Sequence, residues 1–102
     1  MQNGHSWTAY TYAGELSSAA WGFSLESGVS FTLNAVYARH VEVAGVGRTF
    51  VSRSIMDATS LEDAVARVTV PNQATGHNIN LIGLNEHRIV TIESGAYLLP
   101  HL

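Results

Sequence analysis

The sequence has 102 residues, of which 46% are hydrophobic and 13% charged, with a formal net charge of −3 and no cysteine. A chain of this length builds one hydrophobic core, and its apolar content excludes a disordered segment; the missing cysteine excludes disulfides, thiolate metal sites and a thiol nucleophile within it. The cations are five scattered arginines (Arg39, Arg48, Arg53, Arg67, Arg88), whereas phosphate binding needs clustered charge, so neither nucleic acid nor an anionic membrane surface is an expected partner.

No apolar run reaches the roughly 18 residues that span a bilayer, and residues 1–3 open no signal peptide, so the expected compartment is the cytosol. The charged share is about half that of an ordinary soluble domain, and part of this surface is expected to meet another chain or a missing segment.

In chain order, residues 7–12 alternate aromatic and small side chains and read as a first strand. Trp21, Phe23 and Leu25 fall on one face of a second run over 20–25. Glu26-Ser27-Gly28 is a turn in which Gly28 is free to take positive φ. Val29, Phe31, Leu33 and Ala35 then alternate with Ser30, Thr32, Asn34 and Val36, so that 20–25 and 29–36 form a β-hairpin. Residues 37–47 are loop. Over 49–58, Val51, Ile55 and Ala58 have helical spacing. Thr59-Ser60-Leu61-Glu62 has the form of a capping box, with the Thr59 hydroxyl accepting from the Glu62 amide. Leu61, Ala64, Val65 and Val68 are the apolar stripe of the helix it starts, and Pro71 ends that helix. Residues 77–84 and 87–93 are strands of a second hairpin turning at Asn85-Glu86. Leu81-Ile82 and Ile89-Val90 place apolar groups on both of its faces, the pattern of strands covered on two sides. The fold class is α+β, an antiparallel sheet with a helix pair on one face. No spare strand remains for a layer on the other face, which is expected to come from elsewhere. Residues 96–102 lose the pattern and are expected to be poorly ordered.

Little of the polar chemistry forms a motif. His5, His40, His77, His87 and His101 contain no i, i+4 pair, and they read as surface or hydrogen-bonded structural residues rather than metal ligands. There is no GxSxG nucleophile turn. Gly45-Val46-Gly47-Arg48 lacks the Lys and Ser/Thr of a phosphate loop and reads as a hinge. Glu62-Asp63 is explained by capping and the helix dipole. No cofactor or metal is expected. Asn34 is different: it ends a strand whose other face is Phe31 and Leu33, and the alternation groups it with Ser30, Thr32 and, on the partner strand, Ser24. Two readings stay open. The row faces water, or Asn34 presents an amide donor to a cleft, where it binds a carbonyl or supports an oxyanion.

Four stretches occur in a distinctive order: Ala9-Tyr10-Thr11-Tyr12-Ala13-Gly14; Trp21-Gly22-Phe23 followed by Gly28-Val29-Ser30-Phe31-Thr32-Leu33-Asn34-Ala35; Ala58-Thr59-Ser60-Leu61-Glu62-Asp63-Ala64; and Gly76-His77-Asn78-Ile79-Asn80-Leu81-Ile82. Together, over residues 7–95, they resemble the middle of the acyl-coenzyme A:6-aminopenicillanic acid acyltransferase family, which includes β-alanyl-dopamine hydrolases. The resemblance implies an N-terminal nucleophile fold, a four-layer αββα sandwich. It also implies amide formation or hydrolysis through a cysteine exposed by self-cleavage, whose freed amine serves as base. Only Asn34 carries over, matching a family asparagine near the nucleophile and substrate. The resemblance places the nucleophile before residue 1 and a further oxyanion-hole asparagine after the last hairpin, where residues 96–102 depart from the pattern. The expectation is a single partial domain over 1–102, a truncated or degenerate member of that family, inactive alone. The alternatives are one chain of a two-chain amidohydrolase, or a non-catalytic binding module using the Ser24/Ser30/Thr32/Asn34 face. A partner chain or self-association through an uncovered sheet face follows from either of the first two.

Overall fold

The computed structural model describes residues 6–14, 21–35, 45, 47–70, 73 and 76–94. Five strands, β1 (Thr8–Tyr10), β2 (Trp21–Ser24), β3 (Val29–Ala35), β4 (His77–Gly83) and β5 (Arg88–Ser94), pair in sequence order, every neighbour antiparallel. Two helices, α1 (Arg48–Ile55) and α2 (Leu61–Val68), lie between β3 and β4 in the chain. The fold is α+β, with one β layer and one α layer, as one half of an αββα sandwich would have.

Strand register decides which side chains meet the helices. Phe31 pairs with Leu81 and Leu33 with Ile79, while Leu81 and Ile79 pair with Val90 and Ile92. Side chains directly opposite one another share a face, so these residues make one apolar surface. Ile55, Met56, Ala58, Leu61, Ala64 and Val68 pack on it and complete the core. Each fully buried large side chain there, such as Phe31, Ile79 or Leu81, contributes about 1.5–3 kcal/mol by leaving water. On β2 the corresponding position is Gly22, opposite Phe31. A Cβ there would lie 2.6 Å from Met56 Sδ and 2.7 Å from Phe31 Cε1, so the absent side chain lets Met56 and Phe31 reach the backbone.

The turns are built as the sequence suggests. Gly28 has φ +71°, which a residue with a Cβ rarely adopts. Its carbonyl accepts from the Leu84 amide at 2.8 Å, and Asn85 Nδ2 donates to Ser27 O at 3.3 Å, so the two hairpin turns are tied side by side. The lead-in to β1 is fixed to α1, where the Arg53 guanidinium stacks 4.5 Å over the Trp7 ring.

One detail differs from the sequence reading. The cap of α2 is displaced by one residue: Ser60 is the N-cap, its Oγ accepting from Asp63 N at 3.1 Å, while Asp63 Oδ2 accepts from Thr59 N at 3.1 Å. Aspartate at the third helical position thus takes the role expected of Glu62. The helix ends at Val68, with Thr69 as C-cap, and Gln73 Nε2 donates to Val68 O and Val70 O at 2.6 and 2.8 Å. Side-chain capping from Gln73 therefore accompanies this end; Pro71 lies outside the described residues. The second face of the β4–β5 hairpin is not covered by any described residue, Ile89 being 71% exposed, in line with the expectation that this chain does not itself supply a second layer. The expected poor order of residues 96–102, and most of the loop over 37–47, also lie outside the described residues.

Candidate functional site

The sheet face away from the helices is organised in cross-strand rows. One end carries Thr8, Phe23, Ser30, Ile82 and Ile89, one residue from each strand in order. The middle row is Tyr10, Trp21, Thr32, Asn80 and Thr91, and the far row is Asn34, Asn78 and Glu93. Tyr10 is 58% and Trp21 38% exposed. The face therefore combines aromatic groups on β1 and β2 with small polar groups and amides on β3 to β5.

The middle row is closed on itself. Asn80 Nδ2 donates to Thr32 Oγ1 at 3.1 Å, and Thr91 Oγ1 donates to Asn80 Oδ1 at 2.8 Å. In the far row Asn34 and Glu93 are exposed and Asn78 half-buried. No side-chain hydrogen bond joins these three to one another or to other described residues. Asn34 therefore points its carboxamide away from the core, at the end of the open face and without a side-chain hydrogen bond to any described residue.

Ser24 does not belong with it. Ser24 pairs with Val29 and so faces the helices; it is buried, its Oγ donating to Ser6 O at 2.9 Å and accepting from Ser27 N at 3.4 Å. The four-residue turn over 25–28 sets even-numbered residues of β2 opposite odd-numbered residues of β3. Alternation within each strand cannot reveal that offset. Ser30 and Thr32 do share the Asn34 face, with the Ser30 hydroxyl donating to Gly22 O at 3.1 Å. Asn78 and Glu93 were missed, although a turn centred on Asn85-Glu86 already implies their pairing across the hairpin.

The histidines divide. His5, His40 and His101 lie outside the described residues, and His87 is an exposed turn residue with φ 55°. His77 pairs with Ala35 and Ser94 at the same end of the sheet as Asn34, and alternation puts it on the opposite, helix-covered face. It is fully buried, and neither ring nitrogen has a hydrogen-bond partner among the described residues. Burial, with the positive charge of Arg48, holds its pKa below the ordinary histidine value. Among the described residues it is thus neither a surface nor a hydrogen-bonded side chain, which corrects the sequence reading. No group of three or more potential metal ligands occurs among the described residues. Gly47, in the segment read as a hinge, is the N-cap of α1 and supplies no side-chain cap.

Two grooves lie on the helix side. One of about 460 Å³ between α1 and α2 is lined by Phe50, Val51, Ala66 and Val70 among others. Another of about 430 Å³ runs between the start of α2 and β5, past Leu61, Val65, Glu86 and Val90. The first also holds Ser54 and Asp63 and the second Ser60 and Glu62, but Ser54 Oγ donates to Val51 O at 2.7 Å, Ser60 Oγ accepts from Asp63 N at 3.1 Å, and no hydrogen bond joins either hydroxyl to a carboxylate among the described residues. No helix is long and apolar enough to cross a membrane among the described residues.

A sheet with a helix pair on one face, as one half of a sandwich has, is the architecture that the sequence resemblance implies. Comparison with known proteins gives the same family. No curated protein and no solved structure matches the chain. The family model described as acyl-coenzyme A:6-aminopenicillanic acid acyl-transferase matches residues 2–97, and the chain belongs to that family.

Proposed function

We propose that this chain is a catalytically incomplete, truncated or degenerate member of an amide-forming or amide-hydrolysing acyltransferase family, inactive alone, with Asn34 as a substrate-binding donor. The observation that carries the reading is the open sheet face: helices cover one side, while Asn34 stands exposed on the other, one row away from the row that carries the unburied Tyr10 and Trp21. The chain contains no cysteine, so the thiol chemistry of the family must come from outside these 102 residues.

A second reading, one chain of a two-chain enzyme, is favoured by the same face. Tyr10, Trp21 and Ile89 expose large apolar surfaces, as expected of a layer that meets another layer. The purified chain tests both readings. It should bind a hydrophobic dye or self-associate, and should not hydrolyse an N-acyl p-nitroanilide above the buffer rate. A monodisperse monomer that melts sharply and ignores the dye would overturn the incomplete-sandwich reading, and hydrolysis by the chain alone would overturn its inactivity. Mixed with a partner that supplies the cysteine, the chain should give thiol-sensitive hydrolysis. Asn34→Ala should lower that rate about 10²–10³-fold, the usual effect of removing an oxyanion-type donor. An unchanged rate would remove Asn34 from the site.

A further inference from the structure

We propose that Asn34, Asn78 and Glu93 form one binding row for small amides that carry a cationic amino group. The proposal rests on reading the open face as the substrate side and adds two residues and a ligand class to it. Its basis is the contrast between neighbouring rows. Asn34 pairs with Asn78 and Asn78 with Glu93, just as Thr32 pairs with Asn80 and Asn80 with Thr91. In the Thr32–Asn80–Thr91 row the two hydrogen bonds consume the side chains on each other. In the Asn34–Asn78–Glu93 row the same geometry leaves two carboxamides and a carboxylate without a partner among the described residues.

Side chains directly opposite on antiparallel strands stand about 5 Å apart at Cβ, and those of Asn and Glu reach beyond that. One ligand can therefore touch neighbouring members of the row through groups only one or two bonds apart. An amide presents a carbonyl acceptor and an N–H donor, which a carboxamide matches with its own donor and acceptor. Asn78 donates to the ligand carbonyl, Asn34 accepts from its N–H, and Glu93 accepts from an ammonium next to the carbonyl. A neutral amide uses only the two asparagines. A carboxylic acid gains nothing, because Glu93 repels it. The row thus selects for a positive charge at the β5 end, a preference that Asn34 alone cannot create.

The test titrates the whole chain with glycinamide, which has an amide and an ammonium, and with acetamide, which has only the amide. The readout is the side-chain amide resonances of Asn34, Asn78 and Asn80 by NMR. Both probes should shift Asn34 and Asn78 saturably while Asn80, already bonded on both sides, stays in place. Affinities in roughly the millimolar range suit ligands of five atoms or fewer. Glu93→Gln should weaken glycinamide about two- to fivefold, as expected of one exposed ion pair, and leave acetamide unaffected. Unmoved Asn34 and Asn78, an Asn80 shift as large as theirs, or glycinamide affinity indifferent to Glu93→Gln would each overturn the row. Activity separates this from the broader reading. If Asn34→Ala abolishes hydrolysis in a complemented enzyme but glycinamide does not bind, the row fails and the acyltransferase reading stands. If glycinamide binds but no complementation gives hydrolysis, the reverse holds.

Discussion

Glu86, in the turn between β4 and β5, reaches back to the start of α2, where its Oε2 accepts from Leu61 N at 2.7 Å. That amide belongs to the first helical residue and has no partner within the helix. Removing the carboxylate in Glu86→Ala loses a charge-assisted hydrogen bond and its interaction with the helix dipole. A buried bond of that kind is worth about 1.5–3 kcal/mol. Glu86 is exposed, so water can replace it in part, and the expected loss is about 1–1.5 kcal/mol. Ser60 caps a different amide, that of Asp63, and Ser60→Ala should cost about 1 kcal/mol. The two caps share no donor, so the double variant should lose about 2–2.5 kcal/mol, close to the sum. Urea unfolding followed by far-UV circular dichroism reads this out. With a slope of about 1–3 kcal/mol per molar, Glu86→Ala should lower the midpoint by roughly 0.3–1.5 M. A midpoint within about 0.2 M of the parent would show that the carboxylate does not hold α2, and the proposed link between hairpin and helix would fall. Glu86→Gln, which keeps an acceptor but not the charge, should fall between the two.

Other outcomes follow from the same structure. His77 is buried with its pKa below the unfolded value of 6.5, so the unfolded chain takes up the proton first. Stability is full above about pH 6.5 and is lost as pH falls through the window down to the lower folded pKa, with a slope of at most about 1.4 kcal/mol per pH unit. Urea midpoints measured across that window should show the slope, and His77→Leu should remove it. Gly22→Ala forces a Cβ against Met56 and Phe31 and should destabilise by about 1–3 kcal/mol, visible as a lower melting temperature; an unchanged value would show that Met56 yields freely. Asn34→Ala removes an exposed side chain with no side-chain hydrogen bond among the described residues and should change stability by no more than about 0.5 kcal/mol, so any loss of activity in a complemented enzyme would belong to the site.

Local pattern was legible where it is set by neighbours in the chain. The alternation over Val29, Phe31 and Leu33 and the stripe Leu61, Ala64 and Val68 both reach the core as read. Gly28 and the turn at Asn85-Glu86 fix their hairpins. What local pattern lacks is offset between distant strands. Nothing in residues 29–35 says that Asn34 will stand opposite Asn78, because β3 and β4 are separated by both helices. The Ser24 error has the same origin at shorter range, since one residue more or less in a turn reverses which faces meet. The displaced cap shows a third limit. Thr59 and Ser60 are both good N-caps with an acid three residues on, and geometry at the helix entry, not residue type, chooses Ser60. The doubly apolar β4–β5 pattern was legible as a signal for two layers, of which the described residues supply one.

Helix α2 has only eight residues, too few to persist in water on local interactions. Both of its ends are finished by side chains from beyond it, Glu86 from a hairpin turn at the start and Gln73 at the finish. Such a helix cannot outlive the hairpin. Hydrogen exchange should therefore show the amides of Leu61–Val68 and those of β4 and β5 opening together, as a single cooperative unit.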